Sequence, residues 1–356
     1  MAARSTSRIE NQQAKQGDNS SMMRLPLFQY RSPQTLEEAA RILDSEGSGA
    51  RILAGGTDLL PNMKRRQQTP SVLIGLRNVT ELRKTRPLGN NGLSLGACLT
   101  IADIVHNERV RDRFHALWRA SSLIATPLIQ NMGTLGGNLC LDTRCNYYNQ
   151  NYEWRKAINF CLKKDGNICW VATGSSRCLA VSSTDTAPAL IALGARVRLV
   201  SRNNEREVPL SAFYRNDGIE YLARRSDEIL AEVLLDSQEG WRSTYLKLRR
   251  RGSFDFPVLS VAASVKISGG VVEDVRLVLG SLLSCPAKAS EAEAFMLGRP
   301  LDDEVIREAA TLASRIGKPL DNTDFNMTWR KRVSREFVIS ALRELRGDDM
   351  RDHPRQ

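Results

Sequence analysis

The chain has 356 residues, 42% of them hydrophobic and 26% charged, with a formal net charge of +11. This is an ordinary composition for a folded protein with a sizeable core, and no apolar run approaches the roughly 18–20 residues needed to cross a bilayer. The basic balance admits a nucleic-acid partner, but no helix-turn-helix, zinc-finger or RNA-recognition signature accompanies it, which leaves a solvated basic surface or a face for an acidic redox partner.

The first residues are polar and carry no apolar h-region, so 1–22 read as a disordered tail and not as a secretory signal. Seven cysteines in such a chain point to metal or redox use in the cytoplasm, not to a disulfide scaffold. Patterned sequence begins at Leu25. Thr35-Leu36-Glu37-Glu38 forms a capping box, and Leu36, Ala39, Ala40 and Leu43 mark one helical face behind it. Ala50 to Leu53 reads as a strand ending in the glycine turn Ala54-Gly55-Gly56-Thr57-Asp58-Leu59, and Ser71 to Leu76 reads as a second strand. Gly92 to Ala97 is strand-like, Thr100 is a helix N-cap, and Val110 to Ile124 has helical spacing with Phe114, Leu117, Trp118 and Leu123 inward. A second glycine turn spans Asn131 to Asn138. Ala187 to Leu193 reads as a short helix and Arg196 to Val200 as a strand. A separate α+β domain is expected from residue 215. Its strands are Glu228 to Leu235, Thr244 to Arg249, Leu259 to Ile267 and Val271 to Leu279, the last pair joined by the hairpin signal Gly269-Gly270. Ala287 to Met296, Asp302 to Ile316 and Arg330 to Leu345 are helical, and 347–356 read as a frayed tail.

Chemistry concentrates in two features. Each glycine turn lets backbone amides converge on an anion without Cβ obstruction, and Thr57 and Thr134 add hydroxyls. Neither is a P-loop or a dinucleotide fingerprint, because the Gly-Lys-Ser/Thr and three-glycine spacings are missing. A diphosphate cradled from two sides and a pair of unrelated loops both remain open. The second feature is a cysteine-rich stretch with Cys145, Cys161, Cys169 and Cys178, separated by 15, 7 and 8 residues. Four thiolates satisfy a 4Fe–4S cluster, but these gaps match no common ferredoxin run and lack the paired C-x-x-C knuckles of structural zinc. Spacing therefore leaves iron–sulfur, zinc and plain buried thiols open. Cys140 reads as a non-ligand thiol, and Cys98 and Cys285 as small buried hydrophobes. His106, His115 and His353 lie outside every motif, and no acid–base or nucleophilic constellation is present.

The succession Ala54-Gly55-Gly56-Thr57-Asp58-Leu59, then Asn131-Met132-Gly133-Thr134-Leu135-Gly136-Gly137-Asn138, then Asp185-Thr186-Ala187-Pro188-Ala189-Leu190 resembles the FAD-binding subunits of the molybdenum hydroxylases. Xanthine dehydrogenase and carbon monoxide dehydrogenase belong to that family, and the resemblance runs from about Leu25 to Leu345. It implies a two-part FAD-binding domain of the vanillyl-alcohol oxidase (PCMH) type over 23–214. An α+β domain of the carbon monoxide dehydrogenase flavoprotein type would follow over 215–346. It further implies that Leu53, Ala54, Gly55, Gly56, Thr57, Asp58 and Leu59 line the FAD diphosphate. Gly133, Thr134, Gly136, Gly137 and Asn138 would close on it from the other side. Asp185 matches the family aspartate beyond the second turn, and Ile124, Leu230 and Lys247 match contacts nearer the isoalloxazine.

In the common pattern that aspartate follows the turn closely; here Asn138 and Asp185 stand 47 positions apart. The difference is an insertion, 141–180, which holds Cys145, Cys161, Cys169 and Cys178. With Arg144-Cys145-Asn146-Tyr147-Tyr148-Asn149-Gln150 and Ser175-Ser176-Arg177-Cys178, it resembles the branch formed by 4-hydroxybenzoyl-CoA reductase β subunits. That resemblance implies a 4Fe–4S cluster on these four cysteines and an electron path from a ferredoxin-like carrier through the cluster and FAD. The path would continue to 2Fe–2S clusters on a small subunit and molybdenum on a large one, in a dimer of heterotrimers that dehydroxylates an aromatic acyl-CoA. Electrons flowing outward in an oxidative hydroxylase are the alternative. The aromatic residues of the insertion read as a satellite core. Its six basic residues against three acidic ones, Lys163 and Lys164 among them, read as a surface that steers an acidic carrier.

Overall fold

A computed structural model describes residues 24–349; the tail expected over 1–22, residues 350–356 of the frayed end and His353 lie outside them. The N-terminal unit runs β1 (Gln29–Arg31), α1 (Leu36–Glu46), β2 (Ala50–Leu53), α2 (Leu59–Lys64) and β3 (Val72–Gly75). Its three strands are parallel in the order β1-β3-β2. Thr35 caps α1 by accepting from Glu38 N at 3.1 Å, while the Glu38 carboxylate accepts from Gln34 N at 2.8 Å, one residue beyond the reciprocal partner of a capping box. Leu36, Ala39, Ala40 and Leu43 are buried against Val72 and Ile74, the face their spacing predicts.

The chain then forms the hairpin β4 (Thr85–Leu88) and β5 (Gly92–Gly96). Five short helices follow, α3 (Ile101–Val105), α4 (Glu108–Arg113), α5 (His115–Ser122), α6 (Pro127–Gln130) and α7 (Leu135–Leu139). The single helix expected over Val110–Ile124 breaks at Phe114, whose φ of −127° and ψ of 54° leave the helical region while its ring is fully buried. Helix α8 (Tyr152–Ala157) lies in the insertion and α9 (Thr186–Ala192) follows it.

β6 (Arg196–Val200), β7 (Glu205–Pro209) and β8 (Ile229–Leu235) complete an antiparallel sheet in the order β4-β5-β8-β6-β7. Strand β8 was expected in the C-terminal domain from residue 215, and it instead sits at the centre of this sheet with all seven residues buried. A strand buried on both faces reads as a continuous apolar run whichever sheet it enters, so its pattern does not assign it.

β9 (Trp241–Leu248), β10 (Leu259–Ser268), β11 (Val271–Gly280) and β12 (Ala287–Lys288) form a second antiparallel sheet, ordered β12-β11-β10-β9. Gly269 and Gly270, at φ 57° and 83°, make the expected two-residue turn between β10 and β11. Helices α10 (Ser290–Met296), α11 (Asp303–Ile316) and α12 (Met327–Arg346) cover one face of this sheet. From the other face Tyr245, Ala262 and Val278 enter the core built around α9. Leu259 to Val265 are accordingly all buried.

Candidate functional site

The two glycine turns meet. A Cβ on Gly55 would stand 1.9 Å from the carbonyl oxygen of Met132, so only glycine lets the first turn rest on the second. Gly136 also packs tightly on Ala97, its amide donating to Ala97 O at 2.8 Å, where a Cβ would lie 2.7 Å from the Ala97 Cβ. Both turns lead into short helices, Leu59–Lys64 and Leu135–Leu139, where the sequence pattern shows only turns. Asp58 precedes α2, and Thr134 caps α7 by accepting from Gly137 N at 3.1 Å.

Asn138 ties the second turn to the far end of the insertion. Its Oδ1 accepts from Thr184 Oγ1 at 2.8 Å, Thr186 Oγ1 at 2.7 Å and Thr186 N at 3.1 Å. This contact brings Asp185 beside Asn138 despite the 47 positions between them. The result is a cavity of about 410 Å³ lined by Ala54–Leu59, Ile124, Gly133, Thr134, Gly136–Asn138, Asp185 and Leu230. That is the size and mixed lining of a cofactor cleft.

Leu53 and Lys247 are not in the lining. Leu53 ends β2 with its Cδ1 turned toward Gly56. The Lys247 ammonium is buried, 2.9 Å from Asp185 Oδ1 and donating to Leu123 O at 2.9 Å, so it is neither a lining residue nor a solvated strand lysine. Tyr245 OH donates to the same Asp185 oxygen at 2.9 Å. Burial pushes the Asp185 carboxyl upward, opposed by Lys247 and Tyr245. Burial also raises Asp58, opposed by the adjacent Arg144 guanidinium, which pairs with it and stacks 3.9 Å over the Phe256 ring. Further lining comes from Cys98, Cys140 and Asp142, from Tyr221 and Arg224 ahead of β8, and from Phe254 and Phe256 between β9 and β10. No local motif marks these residues, because loops remote in sequence deliver them.

Cys145, Cys161, Cys169 and Cys178 line a second, small pocket with Tyr147, Tyr148, Lys163 and Trp170. All four are buried free thiols, and Cys140 is absent from this lining. Burial pushes Cys145 up to about 12 and Cys178 up to about 11. Among the described residues no three His, Cys, Asp or Glu side chains stand close enough to share one metal ion. The thiols surround a space instead.

The insertion is stapled at its base by Arg144 and Val181, which exchange backbone hydrogen bonds of 2.8 and 2.7 Å. Asn322 holds it from the C-terminal side through Leu179 O at 2.7 Å and Asn146 N at 3.0 Å. Around Cys161 the backbone is strained: Asn159, Phe160 and Asp165 have φ of 59°, 60° and 66°, and a Cβ on Gly166 would meet Cys161 N at 2.8 Å. Tyr148 joins Cys145, Cys161 and Cys178 in a satellite core with Tyr147 and Trp170 packed against it, as expected, while Trp154 stays partly exposed. Lys163 departs from the expected steering surface. Its side chain is only 7% exposed and pairs with Asp142 at 2.7 Å. Lys164 is half-exposed and paired with Asp165 at 3.2 Å. No helix among the described residues is long and apolar enough to cross a membrane.

Two family models match. Residues 26–235 match the FAD binding domain in molybdopterin dehydrogenase, and residues 243–345 the CO dehydrogenase flavoprotein C-terminal domain. The chain is 32% identical over 282 residues to the aldehyde oxidoreductase FAD-binding subunit of Escherichia coli K12, covering 75% of this chain and 85% of that one. It is 25% identical over 325 residues to the glyceraldehyde dehydrogenase medium chain of Sulfolobus acidocaldarius, covering 90% and 99%. Among solved structures, a chain of the carbon monoxide dehydrogenase from Hydrogenophaga pseudoflava superposes with a TM-score of 0.75 at 26% identity, covering 91% and 98%.

Proposed function

The chain belongs to the FAD-binding subunits of the molybdenum hydroxylases, and from that premise we propose that it carries electrons between FAD and a 4Fe–4S cluster held on its own inserted loop. The observation that carries the cluster is the pocket of four buried thiols. A zinc ion draws its thiolates to bonds of about 2.3 Å and so nearly into contact. A four-iron cube keeps its four thiolates apart at its corners, and the four cysteines that line one pocket supply that number of ligands. Ala180 N, 3.4 Å from Cys178 Sγ, is a ready donor to a bound thiolate.

FAD fits the larger cavity by its volume and mixed lining, in which the two glycine turns supply backbone and Asp58 and Asp185 supply polar side chains. When bound, FAD supplies exchange between one-electron and two-electron carriers. The protein's own residues do the rest. The two turns would orient the diphosphate with backbone amides, Asn138 locks the second turn to Thr184 and Thr186 on either side of Asp185, and Phe254 and Phe256 line the cavity.

The finer reading is a 4-hydroxybenzoyl-CoA reductase-like subunit of a cytoplasmic dimer of heterotrimers. Electrons would enter from a ferredoxin-like carrier and leave to 2Fe–2S clusters and molybdenum on partner subunits, for reductive dehydroxylation of an aromatic acyl-CoA. The inserted thiol loop supports it. The relatives' names, dehydrogenases and an aldehyde oxidoreductase, favour a second reading with the same site and electrons flowing outward.

Anaerobic purification of the whole complex tests both. A flavin band with four-iron content on this subunit is expected, and Cys161→Ser should lose the four-iron signal while keeping flavin. Zinc without iron would remove the cluster. Bleaching of the flavin by reduced ferredoxin supports the reductive direction; bleaching by a substrate of the molybdenum subunit, with ferredoxin inert, supports the oxidative one.

A further inference from the structure

The two pockets share a wall, and that wall is an ion pair. Asp142 lines the larger cavity and Lys163 lines the thiol pocket. Their charged atoms are 2.7 Å apart, and the side chains are 8% and 7% exposed. Lys163 Nζ also donates to Gly218 O at 2.8 Å, to Thr143 O at 3.1 Å and to Thr143 Oγ1. It lies 4.5 Å from the Tyr148 ring centroid and 5.6 Å from that of Tyr221, one ring in each pocket's lining. The other Asp142 oxygen accepts from Tyr148 OH at 2.9 Å and Gln68 Nε2 at 3.2 Å. Gly218 packs on the thiol side so tightly that a Cβ there would stand 2.6 Å from Cys178 Sγ. Every group in the wall is held, so the pair is a fixed dipole with its ammonium toward the thiols and its carboxylate toward the cavity.

We propose that the Lys163–Asp142 pair sets the difference in reduction potential between the two redox sites, and that Lys163 is its determining residue. A fixed positive charge favours the site that gains an electron, and a fixed negative charge disfavours it. Little solvent lies in the wall to screen either. The ammonium therefore keeps the thiol-bound cluster reducible by a modest donor, while the carboxylate holds the flavin potential down. The inference rests on the cluster reading but not on the direction of flow.

The test is a redox titration of the whole complex, following the cluster by electron paramagnetic resonance and the flavin by its visible band, with iron and flavin content measured alongside. Lys163→Gln is expected to shift the cluster midpoint to more negative potential by more than the flavin midpoint. Lys163→Arg, which keeps the charge, should restore it. Asp142→Asn should shift the flavin midpoint to more positive potential by more than the cluster midpoint. It leaves the ammonium its Thr143 and Gly218 acceptors, so it decides the matter if Lys163→Gln fails to assemble the cluster. A wild-type complex without iron in this subunit overturns both the cluster reading and this inference. Wild-type iron content with unshifted midpoints in the variants overturns this inference alone.

Discussion

Lys247 and Asp185 meet behind the larger cavity with side chains 1% and 3% exposed. Two charges withdrawn from water are stable only as a pair, and removing one strands the other. Lys247→Met is therefore expected to destabilise the protein by about 3–5 kcal/mol in denaturant unfolding. Adding Asp185→Leu to that variant should recover much of the loss, because a matched apolar pair carries no stranded charge. A single variant as stable as the wild type contradicts this account. Lys247 was identified in the sequence by family resemblance and Asp185 by its motif, but their contact was not legible there. They lie on β9 and at the start of α9, and only the packing of the second sheet on that helix joins them.

Between elements, β7 and the start of β8 are clasped through Glu228. Arg206 on β7 donates to both its oxygens, at 2.7 and 3.0 Å, and Arg225 N donates at 2.6 Å. Burial pushes the Glu228 carboxyl upward, but the Arg206 and Arg225 hydrogen bonds and charges outweigh it and hold the group below its ordinary value. A carboxyl depressed in the folded state contributes stability above its unfolded value, and that contribution is lost as pH falls through the folded one. The thermal midpoint is thus expected to drop as pH is lowered below about 4.3, the ordinary glutamate value. Glu228→Gln should lower the midpoint near neutrality and flatten that acid limb. An identical pH profile in the variant would exclude the clasp. Helix faces and hairpins at this scale were legible in the sequence. The Leu36–Leu43 face and the Gly269-Gly270 turn follow from side-chain period and positive φ alone. The break at Phe114 and the central place of β8 were not, since both depend on what the element packs against.

At the scale of the molecule, the second sheet is a shared wall. Its outer face carries α10, α11 and α12, and its inner face sends Tyr245, Ala262 and Val278 into the core around α9. The pyrrolidine of Pro188 sits where a Cβ on Gly280 would fall, 2.7 Å away. The two family-sized parts, 26–235 and 243–345, therefore share apolar surface that neither can leave in water without loss of stability. A fragment ending at residue 238 is expected to lack a cooperative thermal transition, whereas the whole chain should show one. A fragment that melts cooperatively at the whole chain's midpoint would show the parts to be independent.

The order of glycine turns, aspartate and cysteines was legible in the one-dimensional chain, because glycine freedom, thiolate softness and hydrophobic period are properties of residues and their neighbours. The sequence by itself thus determined where the two glycine turns and the four clustered cysteines stand in the chain. Tertiary structure alone decided that Gly55 rests on Met132, that Asn138 reaches across the insertion to Thr184 and Thr186, and that Lys163 is buried against Asp142. Each is a contact between segments far apart in sequence. Such contacts are selected by the packing of whole elements and leave no local periodicity to read.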